Sequence, residues 1–103
     1  MSDWTFITKH TAVLRYVVRH PMATARELSH TMGITERTVI NIINDLCTAG
    51  YLSKTRQGRR ILYSVHLNLP LRHEALSDVK IGRLLETLGD EGKGELAEAT
   101  TAR

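Results

Sequence analysis

The segment from Thr24 to Gly50, TARELSHTMGITERTVINIINDLCTAG, constrains the fold of this 103-residue chain more than any other. Leu28 and Met32 share one face of a helix, and Gly33 follows as the residue that most readily takes the left-handed conformation closing it. Ile34 anchors a turn, and Val39, Ile43 and Leu46 then repeat at the spacing of a buried stripe. Both helices carry start signals. Thr24 and Glu27 stand at capping-box spacing, Thr35 can cap the second helix with Glu36 at its positive end, and Gly50 closes it. The pattern predicts helix, tight turn, helix. On the second helix, Arg37, Thr38, Asn41, Asn44 and Thr48 fall mostly on the side away from the apolar stripe.

The flanking sequence completes a small domain. Phe6, His10, Val13, Leu14 and Val17 form an apolar stripe, predicting a first helix over residues 5–19 that stops at His20-Pro21. After Gly50, YLSKTRQ and RILYSVH are short runs rich in β-formers joined at Gly58, which reads as a β-hairpin directly behind the second helix of the pair, a wing. Asn68 and Pro70 mark an extended connector. Ser77 can cap a last helix in which Ile81, Leu84, Leu85 and Leu88 share one face, with Leu76 stapled against Ile81 and Gly89 at the end. The expected fold is mainly α with a small β-hairpin: a winged helix-turn-helix of three helices, a two-stranded wing and a C-terminal helix. Residues 1–89 make the domain, and residues 90–103, rich in glycine and charge, are expected to be a disordered tail.

Composition narrows the function. A chain this short holds one modest core and lacks the deep pocket an enzyme usually needs. Residues 1–88 carry 12 Lys/Arg against 7 Asp/Glu, so the expected domain is more basic than the overall +3. No basic start followed by an apolar run resembles a signal peptide, and no stretch is long enough to span a bilayer. The single cysteine, Cys47, lies within a helix, as suits a reducing compartment. A soluble, cytoplasmic, nucleoid-associated protein is the expectation. Five histidines are scattered without the spacing of a zinc site, so no metal site or cofactor is assigned, and His10 reads as a polar group bonded within the fold. No phosphate loop, nucleophile elbow or paired-carboxylate arrangement is present, so no catalytic residue is assigned either.

Several short motifs carry a family resemblance. The exit Leu46-x-x-Ala49-Gly50-Tyr51-Leu52, the opening Trp4-Thr5-Phe6-Ile7-Thr8-Lys9-His10, Gly33-Ile34-Thr35-Glu36-Arg37, Gly58-Arg59-Arg60 and Pro70-Leu71-Arg72-His73 resemble the short, stand-alone winged helix-turn-helix transcriptional regulators of bacteria and archaea, of MarR or ArsR type. The likeness covers about residues 3–89. It implies that the third helix enters the major groove of DNA, that the wing lies along the backbone or in the minor groove, and that terminal helices pair two subunits.

The residue types agree with such a role. Arg37 can bond guanine in a bidentate manner and Asn41 can do the same with adenine. Thr24, Thr35, Thr38 and Asn44 can bond phosphate oxygens, although Thr24 and Thr35 are helix caps in any case. Ile40 suits either a thymine methyl or packing against the wing. Glu36 can accept from a cytosine amino group or orient Arg37, while Asp45 reads as an acid paired locally. Lys54, Arg56, Arg59 and Arg60 give the hairpin four cations and no acid, suited to phosphates, with an arginine in a narrow minor groove as the sharpest version. Trp4, Ile81, Leu84, Leu85 and Leu88 are the expected dimer interface, the alternative being that the last helix folds back on its own domain. The expectation is a sequence-specific DNA-binding regulator, a repressor acting as a homodimer on a palindromic operator in double-stranded DNA. Two rivals stand beside it: a winged-helix module that docks on a protein, and a ligand- or metal-gated sensor, whose effector the sequence does not name and whose pocket would lie between the first and last helices.

Overall fold

Val13, Leu14 and Val17 lie on one face of a helix, and all three are buried, which fixes that helix against the rest of the chain. In the computed structural model, which describes residues 5–89, it is α1 (Lys9–Arg19), followed by α2 (Ala25–Met32) and α3 (Glu36–Thr48). A hairpin of β1 (Leu52–Gln57) and β2 (Arg60–Val65) comes next, then a short 3-10 turn at Glu74–Leu76 and α4 (Ile81–Thr87). One core joins them: Leu28 of α2, Val39, Ile42, Ile43 and Leu46 of α3, Tyr51 and Leu52 at the hairpin root, and Ile81 and Leu85 of α4 pack with the α1 residues. Helices and hairpin together form the expected α+β winged helix.

The helix-turn-helix is closed by the devices its sequence announced. The Thr24 hydroxyl accepts from the Glu27 amide while the Glu27 carboxylate accepts from the Thr24 amide, a complete capping box. Gly33 has φ +70°, and the next amide, Ile34 N–H, turns back to Ser29 O, so the chain reverses within a few residues. Thr35 caps α3 through the Thr38 amide at 3.1 Å. At the far end Tyr51 N–H donates to Leu46 O and Gly50 N–H to Cys47 O, the paired bonds that satisfy the last carbonyls of a helix while Tyr51 folds into the core.

Two helices differ from the sequence-based expectation. The first begins at Lys9 rather than near residue 5, because the Thr5 hydroxyl accepts from Ile7 N–H and donates to Ile7 O, a local turn that competes with helix; Phe6 is 88% exposed and not part of the buried stripe. The last helix is shorter than the span from Ser77 to Gly89. Ser77 bonds Glu74 O instead of capping α4, and Leu76 is exposed rather than stapled to Ile81. Between them the chain is extended: Leu71 N–H donates to Val79 O, Pro70 and Lys80 form a β-bridge, and Ile81 and Gly82 amides donate to Leu69 and Leu67 carbonyls. A Cβ at Gly82 would lie 2.9 Å from both the Cβ and the carbonyl oxygen of Leu67, so only glycine permits the connector to pass so close to α4.

Candidate nucleic-acid interface

Helix α3 separates its residues by side. Val39, Ile42, Ile43 and Leu46 are buried, while Glu36, Arg37, Asn41, Asn44 and Asp45 are exposed on the other side. Arg37, Asn41, Asn44 and Thr48 recur at helical spacing and make one stripe along the axis. Ile40 flanks that stripe at 48% exposure and is not among the residues packed on the core, so its methyl groups are available to an incoming surface. Thr38 is half-buried, and its hydroxyl lies 2.9 Å from that of Thr35. One of these two hydroxyls donates to the other, so the pair keeps a single free hydroxyl hydrogen for an external oxygen. The Thr24 hydroxyl accepts the Glu27 amide but keeps its own hydrogen, at the exposed start of α2.

The hairpin spreads its charge differently. Strand register runs from Leu52 opposite Val65 to Gln57 opposite Arg60, leaving Gly58 and Arg59 as the loop. Side chains alternate between the two faces of a strand. Lys54 and Arg56 therefore share the face of Leu52, Tyr63 and Val65, whose root packs toward the core. Arg60 lies on the opposite face with Ser53 and Thr55, and Arg59 stands at the tip. All four cations are exposed, and none of them is paired with an acid among the described residues. The hairpin is held at its root by Tyr63 N–H to Pro21 O at 2.8 Å, His66 N–H to Tyr51 O, and a 2.6 Å contact between Ser53 Oγ and His66 Nε2. Burial, with a smaller contribution from nearby Cys47, raises the Tyr63 phenol above its ordinary range.

The remaining sequence assignments divide. Ile81 and Leu85, expected to face a second subunit, are turned into the chain's own core at 5% and 2% exposure. The reason is periodic: they lie four apart on the face of α4 that the connector's hydrogen bonds press against the domain. Leu84 and Leu88 are half-buried, and Trp4 lies outside the described residues, as does the expected tail. Asp45 is bonded by His10 Nε2 across helices at 2.8 Å, rather than by a neighbour on α3. Sequence spacing sets His10 on the apolar stripe of α1. The signal that could have found the contact is Asp45 itself, an acid among amides and an arginine. An open groove of about 510 Å³ lies between α1 residues such as Arg15 and Tyr16, Met32 of α2, and Leu88 just beyond α4. Among the described residues no three His, Cys, Asp or Glu side chains gather as metal ligands, and no helix is long and apolar enough to cross a membrane.

Known proteins share this arrangement. The family model described as the penicillinase repressor matches residues 8–100. A protein of E. coli described as a predicted DNA-binding transcriptional regulator superimposes with a TM-score of 0.56 at 22% identity, over 79% of this chain and 74% of its own. ZitR of Lactococcus lactis, in a mutant form, gives 0.55 at 14% identity over 90% of this chain and 57% of its own. PcaV of Streptomyces coelicolor, a transcriptional regulator solved with its natural ligand, gives 0.51 at 24% identity over 84% and 62%. These likenesses are of fold, and the chain spans less than two thirds of the latter two proteins. No curated protein sequence matches significantly.

Proposed function

The chain belongs to the penicillinase repressor family and is a DNA-binding transcriptional regulator, and from that premise we propose that it reads an operator through the outward stripe of α3 while the wing holds the flanking backbone. One observation carries this reading: Arg37, Asn41 and Asn44 are exposed together on the helix face opposite the core, beside a hairpin whose cations have no acid partner among the described residues. In this reading Arg37 bonds guanine and Asn41 adenine, each good bidentate pair discriminating by about 1–3 kcal/mol. Ile40 meets a thymine methyl, and Glu36 accepts from a cytosine amino group or orients Arg37. Thr24, Thr35, Thr38 and Asn44 bond phosphates and set the register.

The reading extends to a homodimer. One small domain offers few base contacts, and a two-fold pair doubles them over half-sites about 34–36 Å apart. Leu84 on α4 and Leu88 just beyond its end, both half-buried, are the residues in the described chain that support this pairing. Selection of bound DNA from a random pool at two salt concentrations tests the whole reading: it should return a palindrome, with affinity falling steeply as salt rises. Enrichment of no sequence, or an affinity indifferent to salt, would instead favour a domain that docks on protein. Leu84→Glu should halve the molar mass measured by light scattering, and an unchanged mass removes α4 from the dimer interface.

A further inference from the structure

Asp45 is an acid on a helix face that must approach phosphates. It lies one turn beyond Asn41 and is 63% exposed, so helical spacing puts it on the flank of the Arg37, Asn41 and Asn44 stripe. Glu36, the other acid of α3, sits in the first turn, where the positive end of the helix offsets its charge. Asp45 has no such compensation from α3. A duplex seated on the stripe brings phosphates toward the Asp45 carboxylate, and like charges repel.

Its partner comes from another helix. His10 Nε2, in the first turn of α1, lies 2.8 Å from Asp45 Oδ2, and because an ionised carboxylate only accepts, the imidazole N–H donates. A neutral His10 occupies one oxygen of the carboxylate; a protonated one also cancels its charge. The side chains are 44% and 63% exposed, and exposed pairs of this kind add little to fold stability. The consequence for a bound polyanion is larger, because phosphates are dense along the duplex and their field sums at the site.

We propose that Asp45 is an electrostatic brake on DNA binding and that His10 eases it, so that the pair sets the affinity of α3 for any duplex without reading sequence. The proposal rests on α3 being the helix that meets DNA. His10 is in this sense a positioning residue: it acts through Asp45, and the two helices bring together what the sequence keeps 35 residues apart.

The test measures affinities of the full chain for its selected operator and for a scrambled duplex, at low and high salt, with melting temperatures recorded alongside. Asp45→Asn should tighten binding to both duplexes by about fivefold at low salt, with the gain shrinking as salt screens it. His10→Ala should loosen binding to both by about threefold, and should change nothing when Asp45→Asn is already present. A merely structural tie between α1 and α3 predicts the reverse sign for Asp45→Asn, because losing the tie would weaken binding. Should His10→Ala melt too early to measure, His10→Gln, which keeps an N–H donor for the carboxylate, should lose less than His10→Ala, and Asp45→Asn stands alone as the decisive variant. Equal or weaker binding by Asp45→Asn overturns the proposal, as does a loss confined to one base pair, which would make Asp45 a base reader. Arg37→Ala separates the premises: if it alters base preference while Asp45→Asn fails to tighten binding, only the brake is wrong, whereas a wild-type chain that binds no duplex removes the α3 interface and the brake with it.

Discussion

Helix α3 and the hairpin behind it both carry polar groups suited to DNA, yet they display them in opposite ways. On α3, the 3.6-residue period collects Arg37, Asn41 and Asn44 on one side and Val39, Ile42, Ile43 and Leu46 on the other, so one edge of the helix is anchored by the same pattern that exposes the other. On the hairpin, a period of two distributes four nearly consecutive cations over two faces and a tip. The first arrangement suits a rigid surface that fits a groove. The second suits a blade, with charge to the left, to the right and ahead, that can lie between two phosphate strands. Burial agrees with the contrast: α3 has four buried residues, whereas the hairpin has one, Leu52, at its root.

The largest test of that contrast is on stability. Leu46→Ala on the inner edge of α3 should lower unfolding free energy by about 2–5 kcal/mol, while Gln57→Ala near the wing tip should stay within about 0.5 kcal/mol. Denaturant midpoints measure both, and a comparable loss from Gln57→Ala would mean that the wing is part of the cooperative core. The next test is on recognition. Arg37→Ala should relax preference at one base pair, whereas Lys54→Ala and Arg60→Ala, from opposite faces of the blade, should each weaken binding to every sequence and shallow the salt slope by about one. If only one of those two variants changes the slope, the wing lies flat on a single strand and the blade picture fails. The smallest effect concerns the joint between the two regions, where Tyr63 of β2 lies near Cys47 of α3. Its phenol is raised above 10.0 by burial, so the folded chain holds that proton to higher pH than the unfolded one; the stabilisation is complete below pH 10 and is lost as pH rises through the folded value. Tyr63→Phe should flatten the decline in melting temperature above pH 10, and an unchanged profile would place the phenol in water in both states.

Much of the fold, and the exposed face of α3 that forms the candidate interface, was legible in the sequence. Thr24 and Glu27, Gly33, Thr35 and Gly50 are local signals whose effect lies within a few residues, and each performs the turn or cap its type suggests. The same is true of the inward and outward sides of α3, because a helix repeats its geometry from one turn to the next. The overestimates arose where a local signal met a stronger partner. Phe6 continued an apolar spacing, but the Thr5 hydroxyl turned the chain before helix could form. Ser77 had the chemistry of a cap, but the 3-10 turn before it claimed the hydroxyl.

What the linear pattern determined, then, is every relation within one period of a helix or strand: caps, closing residues, faces, and the identity of the side chains that α3 presents. Tertiary structure decided the relations between elements. It turned Ile81 and Leu85 into the domain's own core, let the connector run against the start of α4 at Gly82, divided the wing cations by strand register, and set His10 of α1 against Asp45 of α3. The physical reason is that a cap or a stripe depends on neighbours a few bonds away, whereas a face's partner is chosen by which surfaces bury the most apolar area together, and that competition is settled only when the whole chain packs.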